Sequence, residues 1–242
     1  MPLRRRWTAE AIDDIRRQIV VQARIAKGPH RLISPWPDAT PGMTDLRGLD
    51  AGSEGLFVKY LTLEGVDLRF ARGNLVTFQS EFFDCRFDDV VLTVQPRFNR
   101  RFERCSFRGS RLNRLTIGPG VIDCDFTNAR ASRLRSAPNT VFERCLFDGV
   151  DFSGATFSDT HFVECSFIDT RFSETTTFER CSFRNSEIDF GPARVMRVVL
   201  EGDPIADQWA GEAAAQAAEE RFVRHWVQAV QSGDADTMPL EP

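Results

Sequence analysis

Cys85, Cys105, Cys124, Cys145, Cys165 and Cys181 each precede a phenylalanine by two residues, so the chain repeats itself about every twenty residues. A finer beat of five runs inside that period. Cys145, Val150, Ala155, Thr160, Cys165 and Thr170 are small, and Phe147, Phe152, Phe157, Phe162, Phe167 and Phe172 are large. An α-helix repeats near 3.6 residues and a strand at 2, and neither keeps all twelve positions on one face. A solenoid whose turn has four short sides does.

Val150-Asp151-Phe152-Ser153-Gly154, Cys105-Ser106-Phe107-Arg108-Gly109, Cys124-Asp125-Phe126-Thr127-Asn128 and Cys181-Ser182-Phe183-Arg184-Asn185 resemble the unit of the pentapeptide-repeat family. The resemblance extends over residues 60 to 190 and implies a right-handed four-sided parallel β-helix, an all-β solenoid of about six coils. Several members of that family are DNA-shaped inhibitors or protectors of DNA gyrase, so the resemblance also implies a binding function. Fold alone does not set function.

Four segments follow from the pattern. Residues 1–33 hold an amphipathic helix, capped by Thr8 and ended by Gly28-Pro29, with Ile12, Ile15, Ile19 and Ala23 on one stripe that suits a lid over the first open coil. Residues 34–60 read as linker and N-terminal cap, residues 61–195 as the β-helix, and residues 196–242 as a C-terminal helix that caps the rod or pairs with its twin. In that last helix Trp209, Phe222 and Trp226 lie on the apolar stripe and are the candidate dimer contacts.

Within the coils, the cysteine spacings of nineteen and twenty-one around Gly118-Pro119-Gly120 and Arg135 to Asn139 predict one deletion and one insertion that nearly cancel. Sixteen residues separate Cys165 from Cys181. Either one residue is inserted near Thr175 and Cys181 moves to the adjacent side, or one side is shortened; insertion is the favoured reading. Phe87, Phe107, Phe126, Phe147 and Phe167 are expected to stack as one inward column, and the 21 Phe against one Tyr suit a dry interior.

The chain of 242 residues has no run long and apolar enough to cross a bilayer, and acidic Glu10, Asp13 and Asp14 interrupt its start. A cytoplasmic protein with core thiols, rather than a disulfide framework, is the expectation. No catalytic or phosphate-loop motif occurs, His30, His161 and His225 are scattered, and thiols rising one per coil do not converge on a metal. The reading is therefore of a protein that is not an enzyme and takes no cofactor.

What remains is surface. Residues 1–140 carry 23 Arg and Lys against 16 Asp and Glu, and residues 141–242 carry 8 against 19. Residues 141–190 hold ten carboxylates and four arginines. That net of −6 over about 12 Å approaches the roughly seven charges of duplex DNA of the same length. Over residues 60–195 the sum is only −1, so any mimicry of DNA is confined to one end. Asp148, Asp151, Asp169 and Glu174 are the candidate partner-binding residues, for a protein partner that the resemblance suggests is DNA gyrase. A rigid scaffold for an unrelated protein is the alternative. Arg111, Arg114, Arg130 and Arg133 form a candidate basic patch on two successive coils, either pairing with nearby Asp123, Asp125 and Glu103 or holding phosphates. With almost no Lys and a net charge of −4, direct nucleic-acid binding is not expected.

Overall fold

A computed structural model describes residues 3–24, 28–52, 54–73, 77–92 and 96–201. Trp209, Phe222, Trp226 and His225 lie outside the described residues, as does the expected C-terminal helix.

The N-terminal helix, α1 (Ala9–Gln22), begins where expected: the Thr8 hydroxyl accepts the Ala11 amide at 3.2 Å. Ile15 and Ile19 are buried in the common core, with Ile12 and Ala23 packed against it. Arg16 donates to the carbonyls of Ala51 and Gly55, and Trp7 Nε1 donates to the Arg47 carbonyl at 2.8 Å. The helix thus lies over the first coil as a lid.

Behind it, four ladders of parallel pairing define four sides. Side one carries Arg97–Phe98, Thr116–Ile117, Arg135–Ser136, Thr156–Ser158, Thr177–Glu179 and Arg194–Met196. Side two carries Phe102–Glu103, Gly120–Ile122, Val141–Glu143, His161–Val163, Ser182–Arg184 and Val199–Glu201. In the early coils Phe57–Glu64 and Thr77–Phe83 run through both sides. Side three is a file of single bridges through Asp67, Arg86, Ser106, Asp125, Leu146, Ser166 and Glu187, and side four a file through Asp50, Arg72, Val91, Arg111, Arg130, Asp151 and Arg171. About seven turns separate Leu63 from Leu200 on side two, one more than the sequence suggested. The extra turn comes from both ends. Thr44-Asp45 already pairs with Val66-Asp67 inside the segment read as linker and N-terminal cap, and strands continue to Glu201, past the boundary drawn at 195.

Most corners are turned by a residue in the left-handed region. Between sides two and three these are Asp84, Arg104, Asp123, Arg144, Glu164 and Asn185, all with φ near 50°. Such a conformation costs about 1 kcal/mol or more for a residue with a Cβ. It is offset because each corner N–H is spent on the next coil, as in Asp84 N to Glu103 O at 3.0 Å and Arg104 N to Ile122 O at 2.9 Å.

Length changes sit in the corners and leave the sides intact. From Ile117 on side one to Val121 on side two is a short step, across the cis Gly118–Pro119 bond, and from Ser136 to Phe142 a long one. These are the deletion and insertion expected there. Near Thr175 one residue is added, so Arg171 and Thr177 stand six apart where Asp151 and Thr156 stand five apart. Cys181 consequently follows Thr160 rather than Cys165, and Phe183 falls in register with Phe162. The last coil drops side four, whose ladder ends at Arg171.

Inside, Phe87, Phe107, Phe126, Phe147 and Phe167 form the expected column, with successive ring centroids 4.8, 4.7, 5.3 and 5.1 Å apart. On side two Phe142, Phe162 and Phe183 stack at 5.2 and 4.7 Å. Each buried ring contributes about 1.5 to 3 kcal/mol. All six cysteines are buried free thiols.

Candidate functional site

The interior leaves little room for chemistry. Burial pushes the Cys85, Cys105 and Cys145 thiols well above their ordinary range, and Cys181 to about 11, so none of these four is a ready nucleophile. Among the described residues no three of His, Cys, Asp or Glu converge on a point that would hold a metal ion, and no helix is long and apolar enough to cross a membrane. His30 Nδ1 accepts the Thr62 amide and His161 Nδ1 lies 2.8 Å from Ser182 Oγ. Neither stands in a triad.

The surface is organised by side. At the corner between sides two and three, charge alternates from coil to coil through Asp84, Arg104, Asp123, Arg144 and Glu164. Arg104 takes Asp84 with both arms at 2.8 Å, and Arg144 takes Asp123 at 2.6 and 3.0 Å. These forked pairs hold the Asp123 carboxyl below its usual range. A depression of about 1000 Å³ runs along this corner, and its charges are largely matched within its own walls, Arg104 by Asp84 and Arg108 by Asp125.

Side three and the corner beyond it carry an excess of carboxylates, Asp88, Asp89, Asp125, Asp148, Asp169, Glu187 and Asp189, against Arg86 and Arg108. Many also build the wall. Asp148 Oδ1 accepts Ser166 Oγ at 2.5 Å and the Ile168 amide at 3.0 Å, and Asp88 receives Ser106 and the Arg108 amide in the same way three coils earlier on the same side. Between these acids Leu146 is 40% and Ile168 65% exposed. In coils 84–190 they are the only exposed large apolar side chains among the described residues.

The four acidic candidates spread over two sides and two coils. Asp148 lies on side three, and Asp169 at the corner beyond it with φ 55°. Asp151 lies on side four, its carboxylate bonded to Ser153 and in the field of Arg171 and Arg130. Glu174 is exposed near the corner of sides four and one. The sequence pattern did not single out Leu146 and Ile168, though each breaks the polar rule at an outward position.

The basic candidates do come together. Arg111 and Arg130 are bridge partners on side four, and Arg114 and Arg133 turn the following corner with φ of 60° and 56°. The expected neutralising acids are taken elsewhere: Asp123 by Arg144, Asp125 by Arg108, Glu103 by Arg101 and Arg104. Among the described residues none of the four arginines has an ion-pair partner. A groove of about 440 Å³ runs along this corner, lined by Asn113, Arg114, Ser132, Arg133, Ser153, Gly154 and Thr175.

Comparison with protein families matches residues 140–186 to pentapeptide repeats, in 8 copies. No curated protein matches the chain. Among solved structures it is similar to a trypsin-treated variant of QnrB1, a plasmid-mediated fluoroquinolone resistance protein, at 15% identity over 64% of this chain and 79% of that one, with a TM-score of 0.44. It is similar also to full-length QnrB1, at 15% identity over 72% and 96% with a TM-score of 0.33. HetL, a pentapeptide repeat protein involved in heterocyst differentiation regulation from the cyanobacterium Nostoc, matches at 12% identity over 66% and 90% with a TM-score of 0.30. Residues 140–186 of this chain are thus matched as pentapeptide repeats, and they lie within the four-sided coils, where Phe147 and Phe167 of the matched stretch stand in the stacked phenylalanine column.

Proposed function

We propose that the solenoid is a non-enzymatic protein-binding rod whose third side docks into a basic groove, and that the groove belongs to a type II topoisomerase of the gyrase kind. The observation that carries the docking reading is the run of carboxylates on side three and its far corner, at least one in each coil from Asp125 through Asp148 and Asp169 to Glu187 and Asp189, with Leu146 and Ile168 exposed among them. An apolar centre rimmed by like charge suits a partner with an apolar contact and basic surroundings. The gyrase assignment rests on the resemblance of the repeats to DNA-shaped members of the family. It is tested by adding the purified protein to a gyrase supercoiling assay, with and without a gyrase poison. Inhibition or protection is the expected result. No change in either condition refutes the topoisomerase, and leaves the rod as a scaffold for another protein.

A further inference from the structure

Guanidinium groups on this rod fall into two populations. Around sides two and three most are matched, Arg69 to Asp67, Arg104 to Asp84, Arg108 to Asp125 and Arg144 to Asp123, while Arg86 and Arg184 stand in no ion pair among the described residues. Those along the edge between sides four and one are not. Arg111, Arg114, Arg130 and Arg133 occupy two successive coils, about 4.8 Å apart along the axis, without an ion-pair partner among the described residues.

The groove beside them is lined by neutral donors, Asn113, Ser132, Ser153 and Thr175. At Gly154 the file of corner arginines is interrupted. A Cβ placed there would lie 3.5 Å from Arg133 Cγ and 3.4 Å from Thr175 Oγ1, at φ +68°, so the missing side chain opens a notch at the end of the groove. Guanidinium, hydroxyl and amide donors together are the set that contacts phosphate oxygens. Among the described residues this edge exposes no large apolar or aromatic side chain. It therefore lacks the anchor a peptide ligand uses and the stacking platform that holds unpaired bases.

We propose that the edge between sides four and one binds the phosphate backbone of duplex nucleic acid without reading its sequence. This goes beyond the protein-docking reading and reverses the expectation drawn from net charge; it uses the edge of sides four and one rather than side three, and of the acidic candidates Asp151, in the field of Arg130, and Glu174 border it. A total of −4 is no bar, because exposed charges farther away than about 8 Å are largely screened at physiological ionic strength.

The test is fluorescence anisotropy with labelled duplex DNA of two unrelated sequences. Both are expected to bind alike. Four phosphate contacts give a salt slope of about −3.6, hence a loss of about 150-fold in affinity from 50 to 200 mM salt. The double substitution Arg114→Gln and Arg133→Gln should halve that slope while the melting temperature stays unchanged. Asp169→Asn, on the acidic side, should leave duplex affinity within twofold, which separates this site from the docking surface. Absence of binding at 50 mM salt, or undiminished binding by the double variant, overturns the proposal. Displacement by poly-glutamate as readily as by unlabelled duplex also overturns it, in favour of an acidic protein ligand.

Discussion

Ser186 Oγ accepts the amide of Cys165 at 2.9 Å, in the column that runs upward from Cys85 through Cys145. A serine thus occupies the slot where a sixth cysteine would have stacked. Cys181 stands one side earlier, where its thiol donates to the Phe157 carbonyl at 3.4 Å.

Burial in both columns predicts that all six thiols resist a thiol reagent in the native protein and react together in denaturant. Rapid native labelling of three or more would contradict it. The raised thiol pKa values also set a pH window. A thiol ionises near 9.0 when unfolded, and Cys181 near 11 when folded. Its contribution to stability is therefore full below pH 9 and lost between about 9 and 11. Denaturant midpoints should fall across that window, and a flat profile would contradict the buried thiol.

Phe147 packs between Phe126 and Phe167 and against Phe142 and Phe152. Phe147→Ala should cost about 3 to 5 kcal/mol in chemical denaturation, and Phe147→Asp should cost more, since it strands a charge in a dry stack. A variant that melts like the parent would place Phe147 outside the core.

Asp45 is 1% exposed and is gripped by Arg6 at 2.6 and 2.9 Å and by Arg47 at 3.0 Å. Burial alone would raise its pKa, but these hydrogen bonds outweigh it and hold the carboxyl well below its usual range. The stabilisation is present above about pH 4, near the unfolded pKa, and is lost as pH falls towards the folded value. Asp45→Asn should cost about 3 to 5 kcal/mol, the usual penalty for breaking a buried pair. Hydrogen exchange should then quicken first in α1, which the Arg6 contact ties to the first coil.

Charge reversal at Asp148, Asp151, Asp169 and Glu174 should weaken binding of the protein partner, and reversal at Asp88 and Asp89 should matter less. Asp148 and Asp151 also hold the wall, so Asp169 and Glu174, exposed and with no side-chain hydrogen bond among the described residues, form the cleaner pair. Calorimetric titration at two salt concentrations reads the effect. Equal losses from both sets would remove the acidic site near the C-terminal coils.

Trp209, Phe222 and Trp226 are expected from their spacing to join two chains. Light scattering on the parent should report a dimer at micromolar concentration, and a chain ending at Asp203 should be a monomer. A monomeric parent, or a truncated chain that still dimerises, removes this segment from the interface.

The solenoid was legible because its core positions are single-purpose: a small residue and, two positions on, a phenylalanine, each recurring every five residues, have one way to pack. The step at Thr175 was legible too, since Phe183 had to rejoin some column. The opening coil was not. Thr44-Asp45-Leu46-Arg47-Gly48 has neither Cys nor Phe, and Asp45 reads as a solvent residue until Arg6, thirty-nine positions away, covers it. Charge was legible as a gradient along the chain but not as a division among sides. The aspartates that neutralise Arg104, Arg108, Arg144 and Arg180 each sit a coil away, as Asp84 does from Arg104, and no local window contains both.

The unequal corners carry a consequence for how such a wall tolerates change. Between Ser136 and Phe142 the chain runs longer than at the corners above and below it, yet the Phe126, Phe147 and Phe167 column continues undisturbed on side three. The corner acts as a gasket, taking up slack so that the coding frame of the repeat need not be kept residue by residue. Asn139, exposed at the bend with φ 59°, marks the place where a grafted loop or epitope could be carried without resetting the rod on either side.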